Sequence, residues 1–394
     1  MSKKIRILYP NYKDFDKEMD RIGVDKYAYS IFQNKKETFL IKINDLKIEA
    51  ANIIKQDCLA EGADAVIPRN AISGKPKKCN VIIISTKRKI NRIASRFEKQ
   101  PFSLKKISKE LKNILKKHSK SFNFRGKKIQ LKTPKVMGIL NVTPDSFYDG
   151  GKYTKKEIIK KRVEQIIKEG ADIIDLGAES TRPGSERVNE EEELQRLAPA
   201  LEIIKKIDDR IPVSIDTYKS KIAEQMLKNG ADIINDISGF NFDENMPEVV
   251  SNYNAGIILM HIKGTPKNMQ KNPQYEDVIE EIYTYFKNSI QKAIKYNINR
   301  KNIIIDPGIG FGKRLENNTE IIRRLKEFAS LGYPVLIGLS RKSFIGKITG
   351  RPVEDRLTGT ISAHTISLMN GANIIRAHDV KEARETIDMV KEIL

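Results

Sequence analysis

The C-terminal two thirds of the chain consist of short apolar runs that alternate with amphipathic helical patterns. The apolar runs lack the alternation of a half-exposed strand, so each is predicted to form a strand buried on both faces. The eight predicted strands span Val136–Asn141, Ala171–Leu176, Pro212–Ile215, Asp232–Asn235, Gly256–Met260, Asn302–Ile305, Val335–Gly338 and Asn373–Arg376. Eight strand–helix units in about 260 residues are typical of a (β/α)8 TIM barrel, and we predict that α/β fold.

Helical patterns occupy the intervals between the predicted strands. Gly170 and Gly230 both open the repeated phrase Gly-Ala-Asp-Ile-Ile, where each glycine is expected to end a helix just before a strand. The predicted helices span Glu157–Glu169, Glu190–Lys206, Ser220–Lys228, Met246–Tyr253, Tyr275–Tyr296, Asn318–Phe328, Thr358–Met369 and Lys381–Ile393.

The charge distribution marks a boundary ahead of these units. Residues 1–135 hold 34 Lys and Arg against 13 Asp and Glu, whereas the rest of the chain holds 38 of each kind. The whole net charge of +21 therefore lies in the N-terminal part. We predict a small basic α/β domain over residues 1–121 and a TIM-barrel domain over residues 122–394.

The N-terminal part is predicted to contain a few short elements and shows no catalytic constellation. A hairpin that turns at Arg125-Gly126 should introduce the barrel. The other elements are a strand over Ile5–Tyr9, a hairpin of Tyr27–Phe32 with Thr38–Ile43, a helix over Asp45–Glu61, a strand over Val81–Ile84 and a helix over Phe102–Lys117.

Composition also bounds the compartment and the partners. Only two cysteines occur, Cys58 and Cys79, and no pair has metal-ligand spacing, which is typical of a reducing cytosol. No secretory signal and no run of about 18 apolar residues is visible. We therefore expect a cytoplasmic protein with no membrane partner. The basic N-terminal part lacks interleaved stacking aromatics, which favours a solvated basic surface over a nucleic-acid partner.

Polar residues follow nearly every predicted barrel strand. Function in a TIM barrel sits at the C-terminal ends of the strands, so these residues define one concave polar site. Taken singly, Asn235 could be a satisfied core amide, His261 a packed histidine and Asp379 a helix cap. The polar residues at the strand ends are Asn141, Asp175, Asp216, Asn235, His261, Asp306, the run Ser340-Arg341-Lys342, Arg376 and His378.

The residue types in this ring indicate a ligand with two chemical parts. Asp216 and Asp306 suit a flat heterocycle rich in N–H donors, such as an aminopyrimidinone, because a carboxylate accepts two parallel N–H bonds. Lys342, Arg376 and His378 follow the last two strands, where barrels commonly bind phosphate. Asn141 could give a hard oxygen ligand to Mg²⁺ held mainly by phosphates. A metal-free site stays an open alternative.

Motifs at every strand end are similar to those of one family. From Val136 to the C-terminus the chain resembles dihydropteroate synthase, a family of pterin-binding TIM barrels. Two departures, Ala178 for the usual glycine and Ala377 for the usual valine, touch no polar role. The N-terminal domain resembles an extension found on some members. The motifs are GILNVTPDSFYDGG from Gly138, IIDLGAESTRPGS from Ile173, SIDTYKS from Ser214, IINDISG from Ile233, LMHIKGTPKNMQ from Leu259, IIIDPGIGFGK from Ile303, LIGLSRKSFIG from Leu336 and IIRAHDV from Ile374.

The resemblance implies condensation of a hydroxymethyl-dihydropterin pyrophosphate with 4-aminobenzoate in folate biosynthesis, with Mg²⁺ at Asn141 and a homodimer. The residues implied for catalysis are Asp175, Asp216, Asp306, Lys342 and Arg182. Those implied for the pterin are Asp216, Asn235, Asp306 and Lys342, with Ile237 and Met260 packed on it. Pyrophosphate is assigned to Asn141, Arg182, Arg376 and His378, and 4-aminobenzoate to Thr181, Pro183, Phe311, Lys342 and Ser343.

Three alternatives stay open on the sequence. A pterin-binding methyltransferase resembles the same barrel, but it would not use a pyrophosphate clamp. A related enzyme could accept a modified arylamine instead of 4-aminobenzoate. An inactive barrel whose basic first domain binds RNA or another partner is a third alternative, against which the intact polar loops count.

Overall fold

The computed structural model describes residues 12–75, 77–115, 121–143, 155–179 and 188–393. It divides the chain into two compact units, Met1–Lys117 and His118–Leu394. The boundary predicted from the charge shift falls four residues later along the chain. None of the helices in the described ranges is both long enough and apolar enough to cross a membrane.

The first unit is a three-stranded antiparallel sheet with helices. Strand β3 lies in the middle, between β1 and β2. Helices α3, α4 and α5 bury apolar side chains such as Ile54, Ile90 and Leu111 in its core. The elements are α1 (Tyr12–Ile22), α2 (Tyr29–Gln33), β1 (Thr38–Lys47), α3 (Ile48–Ala60), β2 (Asp64–Val66), β3 (Lys78–Thr86), α4 (Lys87–Phe97) and α5 (Leu104–Ile114).

The predicted hairpin of Tyr27–Phe32 with Thr38–Ile43 is wrong. The Asp25 side chain accepts a hydrogen bond from the Tyr27 backbone N–H and starts a 3-10 turn that leads into α2. Strand β1 pairs with β3 instead, so the partner is a distant segment that local patterning does not identify. The sequence prediction also missed α1, α4 and β2, and the predicted strand Ile5–Tyr9 lies outside the described residues.

The second unit confirms the predicted TIM barrel. A two-stranded hairpin, β4 with β5, precedes it and turns at Arg125-Gly126 as expected. Eight parallel strands follow in the order β11-β10-β9-β8-β7-β6-β13-β12, and a bridge between Ile305 and Val335 closes the ring. The strands are β4 (Ser121–Phe124), β5 (Lys127–Gln130), β6 (Lys135–Asn141), β7 (Ile173–Gly177), β8 (Val213–Asp216), β9 (Ile233–Asp236), β10 (Gly256–Met260), β11 (Ile303–Asp306), β12 (Leu336–Gly338) and β13 (Ile374–Ala377).

The helices of this unit follow the predicted pattern with two differences. Helix α12, which begins directly after Lys342, was not predicted, and the predicted helix Asn318–Phe328 is α11 followed by a 3-10 helix over Leu325–Leu331. The helices are α6 (Lys155–Lys168), α7 (Glu190–Ile207), α8 (Ser220–Lys228), α9 (Met246–Asn252), α10 (Val278–Lys295), α11 (Leu315–Arg323), α12 (Ser343–Thr349), α13 (Leu357–Met369) and α14 (Val380–Ile393).

Two layers of inward-facing side chains fill the barrel. Side chains two positions apart on a strand point to the same face, so each strand contributes one residue to a lower layer and one to an upper layer. Phe122 of the hairpin closes the lower end beside Gly256, where an added Cβ would come within 2.5 Å of its ring. The lower layer is apolar and contains Met137, Ile173, Ile233, Ile258, Ile304, Leu336 and Ile374.

Ion pairs lie at the N-terminal ends of the strands, away from the polar residues predicted to bind substrate. The buried Asp232 carboxylate is 3.0 Å from the ammonium groups of both Lys127 and Lys205. Asp172 pairs in the same way with Lys135 and Arg384. These contacts stabilise the closed end of the barrel and leave the upper layer to the site.

Candidate active site

The centre of the upper layer is an arginine held between two aspartates. Arg376 Nε donates to Asp175 Oδ2 at 2.6 Å, and Arg376 Nη2 donates to Asp216 Oδ2 at 2.8 Å. Asn235 Nδ2 also donates to Asp175 Oδ2, at 3.2 Å. These residues come from strands β7, β8, β9 and β13, and each lies two positions above an inward-facing residue of the lower layer. The barrel thus brings together four residues separated by up to 201 positions in the chain.

Two oxygen atoms in this cluster lack a hydrogen-bond partner among the described residues. They are Asp175 Oδ1 and Asn235 Oδ1, and both residues are buried. Leaving a buried acceptor unpaired is costly, and an unpaired acceptor among the polar side chains of a candidate site is explained by a ligand that donates to it. Asn235 is therefore not a satisfied core amide, and the cluster presents acceptors suited to the N–H groups of a ligand.

A second cluster forms beside the first around Lys342. Its Nζ donates to the Ile309 carbonyl oxygen at 2.5 Å and lies 4.8 Å from the centre of the Phe311 ring. Asp306, at the end of β11, accepts a hydrogen bond of 2.7 Å from the Gly308 backbone N–H. Three carboxylates and two cations thus share this end of the barrel.

Burial sets the protonation behaviour of these groups. It raises the pKa of Asp216, and the nearby Asp175 charge adds to the rise while Arg376 opposes it. It also raises the pKa of Asp306 against the opposing effect of Lys342. Burial lowers the pKa of Lys342 to about 8. For Arg376, burial acts to lower the pKa, but the Asp175 and Asp216 charges outweigh it, so the guanidinium stays charged.

Apolar side chains border the polar cluster. Ile237 and Met260 are buried in one group with Tyr218, and Phe311 packs against that group. Met260 is the upper inward residue of β10, the only strand of β7 to β11 that puts an apolar side chain at this level. Such a surface suits the face of a flat ring.

The other predicted site residues lie around this centre. Asn141 is half-buried at the end of β6, and a Cβ on Gly177 would be 3.4 Å from both Asn141 Oδ1 and Asp216 Cβ. Ser343 is exposed in α12, and the exposed His378 has its Nδ1 3.2 Å from Ser340 Oγ. Thr181, Arg182 and Pro183 lie outside the described residues. Within the described ranges, no three His, Cys, Asp or Glu side chains are grouped to hold a metal ion.

Two residues from the predicted ring serve the fold instead. Arg341 donates two hydrogen bonds of 2.9 Å to the carboxylate of Asp379. Asp379 directly precedes α14, the position predicted for a helix cap, and its backbone carbonyl accepts from the Ala383 N–H. His261 is the packed histidine that was one of its two predicted roles, because it is buried and its ring lies 4.7 Å from that of Tyr285.

The sequence analysis missed two lysines close to the site, the buried Lys313 and the half-buried Lys219. Lys313 contacts the strand end at His261, and Lys219 contacts Glu179 and Glu193. Both lysines stand in the quoted motifs, but nothing in a single sequence distinguishes a buried lysine from a solvated one.

A TIM barrel with this ring of acceptors, the apolar surface of Ile237 and Met260, and two cations is typical of the class of pterin-binding enzymes. The pterin binding enzyme family matches residues 137–378. A bifunctional dihydropteroate synthase/dihydropteroate reductase of Helicobacter pylori is 36% identical over 377 residues, which is 95% of each chain. The dihydropteroate synthase of Clostridium beijerinckii is 46% identical over 260 residues, 66% of this chain and 94% of that one. A solved Xanthomonas albilineans dihydropteroate synthase in complex with 7,8-dihydropteroate has a TM-score of 0.63 and 34% identity, covering 69% and 98% of the two chains.

This chain belongs to the dihydropteroate synthase family. It is a transferase of folate biosynthesis that condenses 6-hydroxymethyl-7,8-dihydropterin pyrophosphate with 4-aminobenzoate and releases pyrophosphate. The methyltransferase alternative from the sequence is set aside, because the similar proteins are dihydropteroate synthases.

Proposed function

We propose that the upper layer of the barrel binds the dihydropterin ring in this reaction. The observation that carries the proposal is the pair of unpaired buried oxygens, Asp175 Oδ1 and Asn235 Oδ1, beside the carboxylate of Asp216. A pterin edge offers several N–H donors in one plane, which matches acceptors converging from neighbouring strands. Ile237 and Met260 supply the apolar surface for the ring face.

Asp306 and Lys342 act at the other side of the same ring in this proposal. The Asp306 carboxylate accepts from pterin N–H groups, and the Lys342 ammonium donates to pterin acceptors. Both are buried enough for a direct contact to be strong, because the surrounding protein screens charge less than water does.

Arg376 has to exchange partners when the substrate binds. The Arg376 guanidinium neutralises Asp175 and Asp216. We propose that the pyrophosphate group draws Arg376 toward itself, together with His378 and with Arg182 from the segment outside the described residues. Each carboxylate accepts from the pterin through its Oδ1, and the movement of Arg376 frees its Oδ2 as well.

Asn141 is the residue proposed to hold Mg²⁺. Its amide oxygen is a hard ligand at the strand end next to Asp216. It fits a cation whose other ligands are mostly phosphate oxygens and water molecules. Bound there, Mg²⁺ would supply positive charge that stabilises the departing pyrophosphate.

The arylamine pocket is proposed to include Phe311, Lys342 and Ser343, with Thr181 and Pro183 from the segment outside the described residues. The arylamine nitrogen forms a bond to the pterin methylene carbon, the carbon–oxygen bond to pyrophosphate breaks, and the amine loses a proton. No activated nucleophile is needed. Asp175 and Asp306 are placed to stabilise positive charge that develops on the pterin.

A panel of arylamines tests the acceptor. The purified chain is incubated with dihydropterin pyrophosphate and either 4-aminobenzoate or ring-substituted aminobenzoates, and the pteroate products are measured by mass spectrometry. The proposal expects 4-aminobenzoate to give the highest kcat/KM. A substituted acceptor with a higher kcat/KM would assign the pocket to a modified arylamine.

We also propose a cytoplasmic homodimer. Its support is exposed apolar surface on two neighbouring helices, where Ile366 and Met369 of α13 and Met389 of α14 are each at least 50% exposed. Sedimentation of the full chain should give twice the monomer mass. An Ile366→Glu variant should sediment as a monomer if α13 forms the interface.

A second activity is supported by the full-length match. The Helicobacter pylori relative, named as a synthase and a dihydropteroate reductase, aligns over 95% of this chain and therefore includes the basic first unit. We propose that this chain also reduces dihydropteroate, adding two electrons and two protons with a reduced nicotinamide or reduced flavin as donor. Conversion of dihydropteroate to a product two hydrogens heavier tests this. Lack of conversion with every donor would exclude the activity.

A further inference from the structure

Lys313 is a lysine buried inside the loop that follows β11. Its side chain is 3% exposed, and its Nζ lies among four potential acceptors. The distances from Nζ are 2.8 Å to the Gly308 carbonyl oxygen, 3.0 Å to that of Phe311, 3.3 Å to that of His261 and 2.9 Å to His261 Nδ1. One side chain thus ties two points of the loop to the end of β10.

The loop approaches β10 so closely that only glycine fits at two positions. At Gly308 the backbone has a φ of +66°, and a Cβ would lie 2.0 Å from the His261 carbonyl oxygen. At Gly312 the φ is +64°, and a Cβ would lie 2.4 Å from the Lys263 carbonyl oxygen. Carbonyl oxygens from both segments therefore converge in a dry space, and they need a donor.

The same loop carries the groups that contact Lys342. Ile309, one residue after Gly308, accepts the Lys342 hydrogen bond through its carbonyl oxygen. The Phe311 ring lies under the Lys342 ammonium, and the Phe311 carbonyl accepts from Lys313. Lys313 therefore holds Gly308, the neighbour of Ile309 in the chain, and Phe311, whose ring contacts Lys342.

We infer that Lys313 is a positioning residue, which locks the Gly308–Gly312 loop onto β10 so that Ile309 and Phe311 hold Lys342 in the substrate site. The inference rests on the proposed function only for the role of Lys342 and Phe311 toward substrate. Lys313 itself touches neither the pterin pocket residues Asp175 and Asn235 nor any proposed phosphate ligand in the described residues.

The pH dependence of the reaction reports on this arrangement. The charged groups that face Lys342 are Asp306, Asp216 and Arg376. Lys313 faces the charged groups Asp306, Lys342 and Lys263 and the ring of His261, whose pKa burial lowers well below its ordinary value. Burial holds the pKa of Lys342 at about 8, and the hydrogen bond to Ile309 favours its charged form. If the loop moves, that bond is lost, and the pKa of Lys342 falls further.

Lys313→Met is the test, since methionine keeps the length of the side chain and removes its donors. The pH profile of kcat/KM for 4-aminobenzoate is measured at saturating pterin pyrophosphate. We expect kcat/KM to fall roughly ten- to hundredfold. We expect the alkaline limb to shift to lower pH by about one unit. Lys313→Gln keeps two donors and should show a smaller shift in the same direction, so it decides the question if the methionine variant does not fold.

Two controls separate positioning from other effects. Lys205→Met breaks an ion pair at the closed end of the barrel, so it should lower the unfolding temperature and leave the alkaline limb unchanged. Lys326 is exposed, and Lys326→Met should change neither the unfolding temperature nor the alkaline limb of the pH profile. An unshifted limb in the Lys313 variants would overturn the inference, as would a shift to higher pH, which indicates only the removal of a nearby positive charge. Full activity of Lys342→Met would instead refute the proposed role of Lys342.

Discussion

At the residue scale, the site depends on carboxylates that are buried next to cations. Asp216 is bonded to Arg376, and Asp306 faces Lys342 across the same end of the barrel. A carboxylate in such a place can accept two N–H bonds and can also stabilise positive charge, whereas an amide offers one acceptor edge and no charge.

Asp216→Asn and Asp306→Asn should each reduce turnover by roughly a hundredfold or more while the barrel stays folded. The reason is that each change removes both a bidentate acceptor and a negative charge from the pterin pocket. Formation of dihydropteroate by the purified variants measures the effect, with circular dichroism as the check on folding. Asp388→Asn, on the exposed side of the last helix, is the matched control. Near-normal turnover in either site variant would contradict the assignment.

Binding of the pterin should weaken on the acid side at an unusually high pH. Burial raises the pKa of Asp216 to about 7, so lowering the pH through that value protonates an acceptor that the pterin needs. Calorimetry with 6-hydroxymethyl-7,8-dihydropterin, which lacks the titrating pyrophosphate, isolates this effect. An affinity that stays constant down to about pH 5, close to the ordinary range for aspartate, would show that Asp216 does not control binding.

The polar residues could be predicted at this scale, but their pairing could not. Active sites of TIM barrels lie at the C-terminal ends of the strands. Four of the predicted residues lie together in the upper layer, namely Asp175, Asp216, Asn235 and Arg376. The ion pair of Arg376 with two aspartates depends on which strands become neighbours after closure. Lys313 escaped prediction because its burial follows from the turn at Gly308, a tertiary contact.

At the element scale, Lys219 links the residues on either side of segment 180–187. It follows β8, and its Nζ lies 3.0 Å from Glu179, 2.5 Å from the Val188 carbonyl oxygen and 2.6 Å from Glu193. Glu179 and Val188 flank residues 180–187, which include the predicted contacts Thr181, Arg182 and Pro183.

Lys219→Met should therefore raise the KM for 4-aminobenzoate more than the KM for dihydropterin pyrophosphate. The change leaves the buried Glu193 without its cation, and Glu179 and Val188 lose their common donor. Steady-state kinetics with each substrate varied in turn measures the two KM values separately. Lys221→Met, two residues further along in α8 and with an exposed ion pair, is the control and should behave as the wild type. Equal changes in both KM values would indicate general destabilisation instead.

Element prediction succeeded for the repeated strand–helix units of the barrel. It failed in the first unit where distant pairing decided the structure, and it also missed the amphipathic helix α4. The barrel strands were predicted to within about two residues, because buried parallel strands are continuous apolar runs. In the first unit the segment Tyr27–Phe32 was predicted as a strand, but a local side-chain bond at Asp25 starts a helical turn. Short elements such as β2 carry too few residues to show a period.

At the scale of the whole molecule, the two compact units differ in net charge and in the activities proposed for them. The Clostridium beijerinckii enzyme is a shorter relative, and the alignment covers 66% of this chain and 94% of that enzyme. Residues assigned to the synthase site all lie in the second unit.

A fragment that begins at Lys120 should therefore retain synthase activity and lose the proposed reductase activity. Its synthase kcat/KM is expected to stay within about threefold of the full chain, since no proposed substrate contact is removed. Parallel assays of dihydropteroate synthesis and of dihydropteroate reduction measure both. A folded fragment without synthase activity would show that the first unit contributes to the synthase site, and retained reduction would place that activity in the barrel.

The central claim is that unpaired buried acceptors in the upper layer exist to bind the pterin. Calorimetric titration of 6-hydroxymethyl-7,8-dihydropterin into the wild type and into Asn235→Leu tests it most directly. Ser214→Ala is the matched control, because Ser214 Oγ is also buried and unpaired but lies two positions below Asp216 on β8. We expect at least about tenfold weaker binding for Asn235→Leu and unchanged binding for Ser214→Ala. Equal affinity of the wild type and Asn235→Leu for the pterin would contradict it.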